Sequence, residues 1–267
     1  MASRKRETAA ANTEAATDAP EFSIVIPAKD EADSIGPLID EIAGCLEGVT
    51  RFEVVCVDDG SSDGTAAVLR QAQARHPWLR VIRHEAPCGQ STATLTGVQR
   101  AEADWIITMD GDGQNPPGEI VKLVDAWAKV DDRRVWMVAG QRAKRHDSWL
   151  RRVSSRIANN VRARLLRDGI LDTGCSLKLF RRDIFLALPY FDHMHRFLPA
   201  LVQRQGGHVI VVPVAHRPRQ RGISKYGFHN RLWPGIVDLM GVMWLQRRTR
   251  LPRIAEADAP LTERTGS

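Results

Sequence analysis

The sequence predicts an α/β fold: a mostly parallel sheet flanked by helices, with amphipathic helices added in the C-terminal half. Three observations predict it. Apolar runs of strand length alternate with helical patterns through the first 140 residues, the signature of βαβ units. Those runs are continuous rather than alternating, as in strands covered on both faces. Three of them end in acidic clusters, and in open α/β sheets the strand ends are where ligands bind.

Taken in order, residues 22–27 (FSIVIP) read as a buried strand and 34–46 are helical in pattern. Residues 52–57 (FEVVCV) form a second strand, which runs into Asp58-Asp59-Gly60-Ser61-Ser62-Asp63-Gly64. An amphipathic helix follows over 65–75, a third strand over 79–83 and a helix over 92–101. Residues 105–109 are the fourth strand, 119–129 a helix and 135–139 the fifth strand. The pattern then changes. Residues 147–167 read as a long amphipathic helix, with Trp149, Val153, Ile157, Val161 and Leu165 on one side and arginines elsewhere. A short irregular piece, a helix near 194–204, a strand over 208–214, a basic loop over 215–227 and a second amphipathic segment complete the pass. No internal repeat is visible.

With 267 residues, 43% hydrophobic and 26% charged, the chain is long enough and apolar enough for one full core with a decorated edge. The expected organisation is a tail over 1–20, a main α/β domain over 21–228, an amphipathic helix over 229–250 and a second tail over 251–267. The tails lack the composition of a core, and the first has no apolar signal-peptide stretch. The formal charge of +6 permits phosphate, anionic lipid or nucleic-acid partners. Cys45, Cys56, Cys88 and Cys175 form no close pairs and show no zinc spacing, so they are expected as reduced packing thiols of a cytosolic protein.

The most informative run is Met109-Asp110-Gly111-Asp112-Gly113-Gln114-Asn115-Pro116-Pro117, at the end of the fourth strand. Two carboxylates and an amide oxygen on a tight turn suit Mg²⁺ or Mn²⁺, which bind a few side chains together with substrate phosphates. A plain solvated turn is the competing reading. A calcium loop is excluded, because Asn115 stands at the sharp-turn glycine and Val121 at the closing glutamate. Asp58 and Asp59 end the second strand in the same way, and Lys29-Asp30-Glu31 follows the first. Each turn alone is ordinary; three on adjacent strands would converge on one sheet edge.

The loop 215–227 (AHRPRQRGISKYG) is dense in cations that match phosphate oxygens. Its few aromatics, Tyr226 and nearby Phe228, argue against nucleic acid, which needs stacking platforms. In 233–244, Trp233, Ile236, Val237, Met240, Met243 and Trp244 fall at helical spacing, followed by Arg247, Arg248 and Arg250. Two basic amphipathic helices in the same half as the basic loop favour an anionic membrane surface over simple core packing. A protomer interface in a homo-oligomer is the alternative. No run is long and apolar enough to span a bilayer, so attachment is expected to be peripheral, on the cytoplasmic face.

Read in order, FSIVIPAKDE, VDDGSSDGT, MDGDGQNPP, the GQR of 140–142, DTG-CSLKLFRRD and RGISKYG resemble family 2 glycosyltransferases of the GT-A fold, a Rossmann-like sheet. Their spacing resembles the polyprenyl-phosphate branch, of the dolichol-phosphate mannose synthase type, over about residues 22–245. The resemblance implies a nucleotide-sugar donor, GDP-mannose or a UDP-sugar, and an undecaprenyl or dolichyl phosphate acceptor. It places Pro27, Glu31 and Asp59 at the nucleoside of the donor and makes Lys29 and Val57 donor-binding as well. It makes Asp110, Gly111, Asp112 and Arg142 donor-binding too, and gives Asp112 and Gln114 the divalent metal on the diphosphate. Arg151, Arg196, Arg219, Arg221, Ser224 and Lys225 fall where phosphates of donor and acceptor are met. By the same resemblance, Asp110, Asp112, Arg142 and Arg219 are expected to carry the reaction. Lys29-Asp30, Gly111 and Gln90-Ser91 depart from the usual pattern, which leaves base and sugar open.

The chemistry suits these residues. A lipid phosphate is already anionic near neutral pH and needs no general base. What transfer needs is charge neutralisation at the departing diphosphate and cationic alignment of the attacking phosphate. Direct attack inverts the anomeric configuration. A soluble or protein hydroxyl acceptor is the nearest alternative and would require a base. An aspartyl-phosphate enzyme is disfavoured by Gln114 and by the mid-chain position of the motif.

Overall fold

The computed structural model describes residues 19–143, 162–166, 168–170, 172–218 and 229–250. The tails expected over 1–20 and 251–267 fall almost wholly outside the described residues, as do most of the helix expected over 147–167 and the loop from 219 to 228. Of that long helix, 162–166 is described and is helical.

The chain runs β1 (Phe22–Ala28), α1 (Ala32–Leu46), β2 (Phe52–Asp58), α2 (Thr65–Arg75), β3 (Leu79–Arg83), α3 (Gln90–Arg100), β4 (Trp105–Thr108), α4 (Glu119–Ala128) and β5 (Val135–Arg142). It continues with β6 (Lys178–Arg181), α5 (Arg182–Leu186), a 3-10 turn (Met194–Arg196), α6 (Leu198–Arg204), β7 (His208–Val214) and α7 (His229–Arg248). Among the described residues, the strands form one sheet in the order β3-β2-β1-β4-β6-β5-β7. β1 pairs in parallel with β2 and β4, β2 with β3, and β5 with β7. β6 is antiparallel to both β4 and β5.

The sequence reading left β6 and α5 as an irregular piece. Only four residues long, with Lys178 and Arg181 at its ends, β6 carries too little periodicity to announce itself. Its antiparallel insertion has a functional consequence. Lys178 pairs with Thr108 and Ala139, so the start of β6 meets the carboxyl end of β4. The segment 172–178 is thereby brought to the edge where the parallel strands end. Boundaries also move: α1 starts at Ala32 rather than 34, α3 at Gln90 rather than 92, β5 extends to Arg142, and the helix expected over 194–204 divides into the 3-10 turn and α6.

The core lies on both faces of the sheet, which explains the unbroken apolar strands. Ile24, Ile26, Val54 and Cys56 pack on one side with Ile35, Leu38, Ile39 and Ile42 of α1. Val25, Val55 and Val57 point to the other side, against Ala93 and Val98 of α3 and into the cluster that holds Leu198 and Leu201 of α6. α3 approaches β1 closely because Gly97 has no side chain; a Cβ there would lie 2.4 Å from Cγ1 of Val25. α7 joins the second face through Val242, fully buried, with Leu239, Met243 and Leu245 partly buried. Its other side leaves Val237 63%, Met240 65% and Trp244 58% exposed. The helix is therefore two-sided: one face packs on the domain and another remains bare.

Candidate active site

The carboxyl ends of β1, β2 and β4 meet at one edge, and hydrogen bonds between their loops hold the turns in place. The Asp30 N–H donates to Ser61 Oγ (2.9 Å), and Asp30 Oδ1 accepts from the Ser62 N–H (2.7 Å). The Glu31 N–H donates to Thr65 Oγ1 (2.8 Å), which joins the loop after β1 to the start of α2. Ser34 Oγ donates to the Gly111 carbonyl (3.0 Å) and reaches Glu31 Oε2 at 2.9 Å, linking the first loop to the acidic turn.

Asp59 is buried and its carboxylate organises the loop 84–89. Oδ1 meets the Cys88 N–H and His84 Nδ1, both at 2.8 Å, and Oδ2 accepts from the Gly89 N–H at 2.8 Å. Burial opposes its ionisation, but these donors prevail and hold the carboxyl below the usual range. The Cys88 thiol is exposed, and the donor atoms of Asp59, His84 and Cys88 lie within 4.8 Å of one another, a grouping absent from the sequence reading of the cysteines. Both carboxylate oxygens carry hydrogen bonds, and His84 Nε2 lies 3.0 Å from Thr96 Oγ1, so Asp59 and His84 brace the loop.

At the end of β4, Asp110 is driven up to a pKa of about 6, first by burial and then by the charge of Asp112. Ser176, Lys178 and Arg142 oppose the shift. Gln90 Nε2 donates to Asp110 Oδ1 at 2.7 Å, and the Asp110 N–H donates to Ser176 Oγ at 3.2 Å. Ser176 Oγ also accepts from Asn115 Nδ2 at 2.8 Å. Asp112 Oδ1 accepts from the Gln114 N–H at 3.0 Å, closing the turn over Gly113, whose φ of +71° few other residues tolerate. Asp112 and Gln114 offer hard oxygen donors, and a dication would relieve the repulsion that raises Asp110. The residues present fit Mg²⁺ or Mn²⁺.

Arg142 ends β5 in a two-pronged pair with Asp172: Nε to Oδ2 at 2.7 Å and Nη2 to Oδ1 at 2.6 Å. The Arg142 backbone N–H adds a third bond to Oδ2 at 3.2 Å. Lys178 is buried beside them and donates to the carbonyls of Thr173 and Cys175. Burial pulls its pKa down, while Asp110 and Asp172 work the other way. Two basic side chains, Arg142 and Lys178, thus stand next to the acidic turn, with Asp172 paired to Arg142.

Of the residues expected at the site, Pro27, Lys29, Glu31, Asp59, Asp110, Gly111, Asp112, Gln114 and Arg142 all lie at or just beyond these strand ends. Val57 is near them in sequence, but its side chain is fully buried in the second-face core. Arg196 sits in the 3-10 turn, next to His195, whose Nδ1 lies 2.8 Å from Ser91 Oγ at the start of α3. Arg151, Arg219, Arg221, Ser224 and Lys225 fall outside the described residues. Sequence reasoning gave no individual role to Asp172, Ser176, Lys178, Gln90 or His84. Asp172, Ser176 and Lys178 belong to the quoted DTG-CSLKLFRRD run, and the signal missed was the reversed strand that returns it to the site. Among the described residues, no helix is long and apolar enough to cross a membrane.

Comparison with known proteins agrees with this geometry. Residues 23–188 match the profile of glycosyl transferase family 2. The chain is 34% identical over 237 residues to a dodecaprenyl-phosphate galacturonate synthase of Rhizobium johnstonii, covering 87% of this chain and 69% of that protein. It is 38% identical over 208 residues to an undecaprenyl-phosphate 4-deoxy-4-formamido-L-arabinose transferase of Edwardsiella ictaluri, covering 77% of this chain and 62% of that protein. Among solved structures, mannosyl-3-phosphoglycerate synthase from Rubrobacter xylanophilus superposes with a TM-score of 0.68 at 19% identity, over 98% of this chain and 82% of that one. Glucosyl-3-phosphoglycerate synthase from Mycobacterium tuberculosis, solved with Mn²⁺, UDP and glucosyl-3-phosphoglycerate, gives 0.63 at 18% identity, over 85% of this chain and 80% of that one. At these identities the structures establish a shared fold, and the sequence relatives establish kinship. The chain belongs to glycosyl transferase family 2.

Proposed function

We propose that this chain is an inverting glycosyltransferase that moves a sugar from a nucleotide-sugar to a polyprenyl phosphate, giving a lipid-phosphate-linked sugar. One observation carries the reading: the acidic turn of β4, the Asp59 loop and the Arg142–Lys178 cations share one sheet edge, in a chain whose sequence relatives are named as polyprenyl-phosphate sugar transferases. In this reading the strand-end loops of β1 and β2 receive the nucleoside. Asp112 and Gln114 hold Mg²⁺ or Mn²⁺. The ion supplies charge neutralisation at the departing diphosphate. Arg142, aimed by Asp172, adds fixed positive charge on the same side, with the Lys178 amine beside it. Arg151, Arg196, Arg219, Arg221, Ser224 and Lys225 would meet the donor and acceptor phosphates. The base and sugar of the donor stay open between GDP-mannose and UDP-sugars.

The domain over 21–228 would do the chemistry, and the bare face of α7 would rest on the cytoplasmic face of the membrane. Val237, Met240 and Trp244 present the apolar side, Arg247 and Arg248 follow at the end of the helix, and the Arg248 guanidinium lies 5.9 Å from the Trp244 ring centroid. The test is a transfer assay with a panel of GDP- and UDP-sugars, Mg²⁺ or Mn²⁺, and undecaprenyl phosphate in detergent. A lipid-linked sugar whose formation EDTA abolishes supports the reading and names the donor. Nucleotide binding without lipid product from any donor would defeat the acceptor assignment.

A further inference from the structure

The basic loop and the acidic turn are far apart in sequence, yet one arginine joins them. The Arg217 backbone N–H donates to the Gln114 carbonyl at 3.0 Å. Gln114 Nε2 reaches the Arg217 carbonyl at 3.5 Å, so its amide nitrogen turns toward Arg217, leaving Oε1 as the remaining ligand atom. The Arg217 side chain contributes as well. Nε donates to the Gly113 carbonyl at 2.5 Å, and Nη1 and Nη2 meet the Glu41 carboxylate of α1 at 3.2 and 2.6 Å. Asp112 and Arg217 both line a small cavity of about 120 Å³ beside the start of α1.

Three features of this arrangement matter. First, Gly113 adopts a φ of +71° and Pro116 and Pro117 follow, so the turn has little backbone pairing of its own. Arg217 supplies that pairing from outside. Second, a guanidinium this close to the acidic turn would compete with a cation for Asp112 unless it were neutralised. Glu41 takes both of its terminal nitrogens. Third, Pro218 restricts Arg217 to an extended backbone, and the loop base is pinned a second time where the Ala215 N–H donates to Glu119 Oε2 at 3.0 Å.

We infer that Arg217 is a positioning residue. It fixes the Gly113–Gln114 turn so that the Gln114 oxygen faces the divalent ion, with Glu41 holding its guanidinium in place. The same residue anchors the described start of the basic loop, residues 215–218, to that turn. The inference rests on the reading of Asp112 and Gln114 as metal ligands. Residues that orient metal ligands change metal affinity without touching the ion.

The test is Mn²⁺ binding, followed by electron paramagnetic resonance in the presence of UDP and, separately, GDP, on the full chain. Wild type, Asp112→Ala, Arg217→Ala, Arg217→Lys and Glu41→Gln are compared, with a thermal melt of each. Arg217→Ala should weaken Mn²⁺ binding by about tenfold or more, with Arg217→Lys in between and Glu41→Gln showing a smaller loss. Because the Glu41 side chain is 35% exposed, Glu41→Gln keeps the test usable if Arg217→Ala does not fold. Wild-type affinity in both Arg217→Ala and Glu41→Gln would overturn the inference. Wild-type protein with no Mn²⁺ binding dependent on Asp112 would overturn the metal reading itself, and the inference with it.

Discussion

Replacing Asp172 with Asn tests how the reversed strand contributes to the site. Asp172 accepts three bonds from Arg142, at 2.6, 2.7 and 3.2 Å, and the two side chains are 7% and 18% exposed. Asn keeps one acceptor oxygen, removes the negative charge and turns an NH₂ toward the guanidinium. Breaking a buried ion pair costs roughly 3–5 kcal/mol, and the residual exposure of Arg142 lowers that to about 2–3 kcal/mol. For a chain of this size each kcal/mol moves the melting temperature by about 2–4 °C, so a fall of roughly 5–10 °C is expected. Arg142 would also lose its aim, and misplacement of a charged group by about 1 Å can cost on the order of 100-fold in rate. The assay pairs a thermal melt with donor titration of transfer, for Asp172→Asn, Arg142→Gln and the double variant. The single effects should not add, leaving a coupling energy of about 1–3 kcal/mol. A melt within about a degree of wild type, with unchanged kcat/KM for donor, would refute the claim that Asp172 holds Arg142.

Other expectations follow from particular contacts. Burial, with the nearby charges of Arg196, Lys178 and His193, pushes the His195 pKa down to about 3. Its unfolded value lies near 6.5, so its stabilising contribution is complete above about 6.5 and is lost as pH falls from there toward 3. Denaturant melts should show His195 contributing about 2 kcal/mol of destabilisation between pH 6.5 and 5, and His195→Gln should flatten that part of the profile; parallel profiles would contradict it. Gly97→Val should lower stability by about 1–3 kcal/mol in urea melts, because the new side chain meets Val25; an unchanged midpoint would count against the close approach of α3 to β1. Met240→Glu should leave the melting temperature nearly unchanged yet reduce co-sedimentation with phosphatidylglycerol vesicles. Equal binding by wild type and variant would remove α7 from the membrane contact.

Much of this architecture is legible in the sequence because burial on both faces writes itself as unbroken apolar runs. FSIVIP and FEVVCV could hardly be anything but inner strands. The acidic turns are legible too, since Asp58-Asp59 and Asp110-Gly111-Asp112 stand where those runs stop. What hides is whatever depends on pairing across the chain. Lys178 appears as a surface cation in KLFRR, but β6 is an inner strand and carries it into the interior. Asp172 finds Arg142, 30 residues away, only because β6 runs backwards. Asp59 had the look of a free strand-end acid, yet the loop 84–89 folds onto it. α7 illustrates a third limit: periodicity identifies an amphipathic helix but does not reveal that Val242 is buried while Met240 and Trp244 are not.

The central claim is that an already anionic lipid phosphate attacks the sugar directly, with no protein base. The most direct measurement gives the wild-type enzyme equal amounts of undecaprenyl phosphate and undecaprenol, with an α-linked nucleotide-sugar donor and Mn²⁺, and determines the anomeric configuration of the product by NMR. The account predicts that only the phosphate is glycosylated and that the product is β-linked. Efficient glycosylation of the alcohol would contradict it and would point to a carboxylate such as Asp110, with its pKa near 6, as a base. An α-linked product would contradict direct attack.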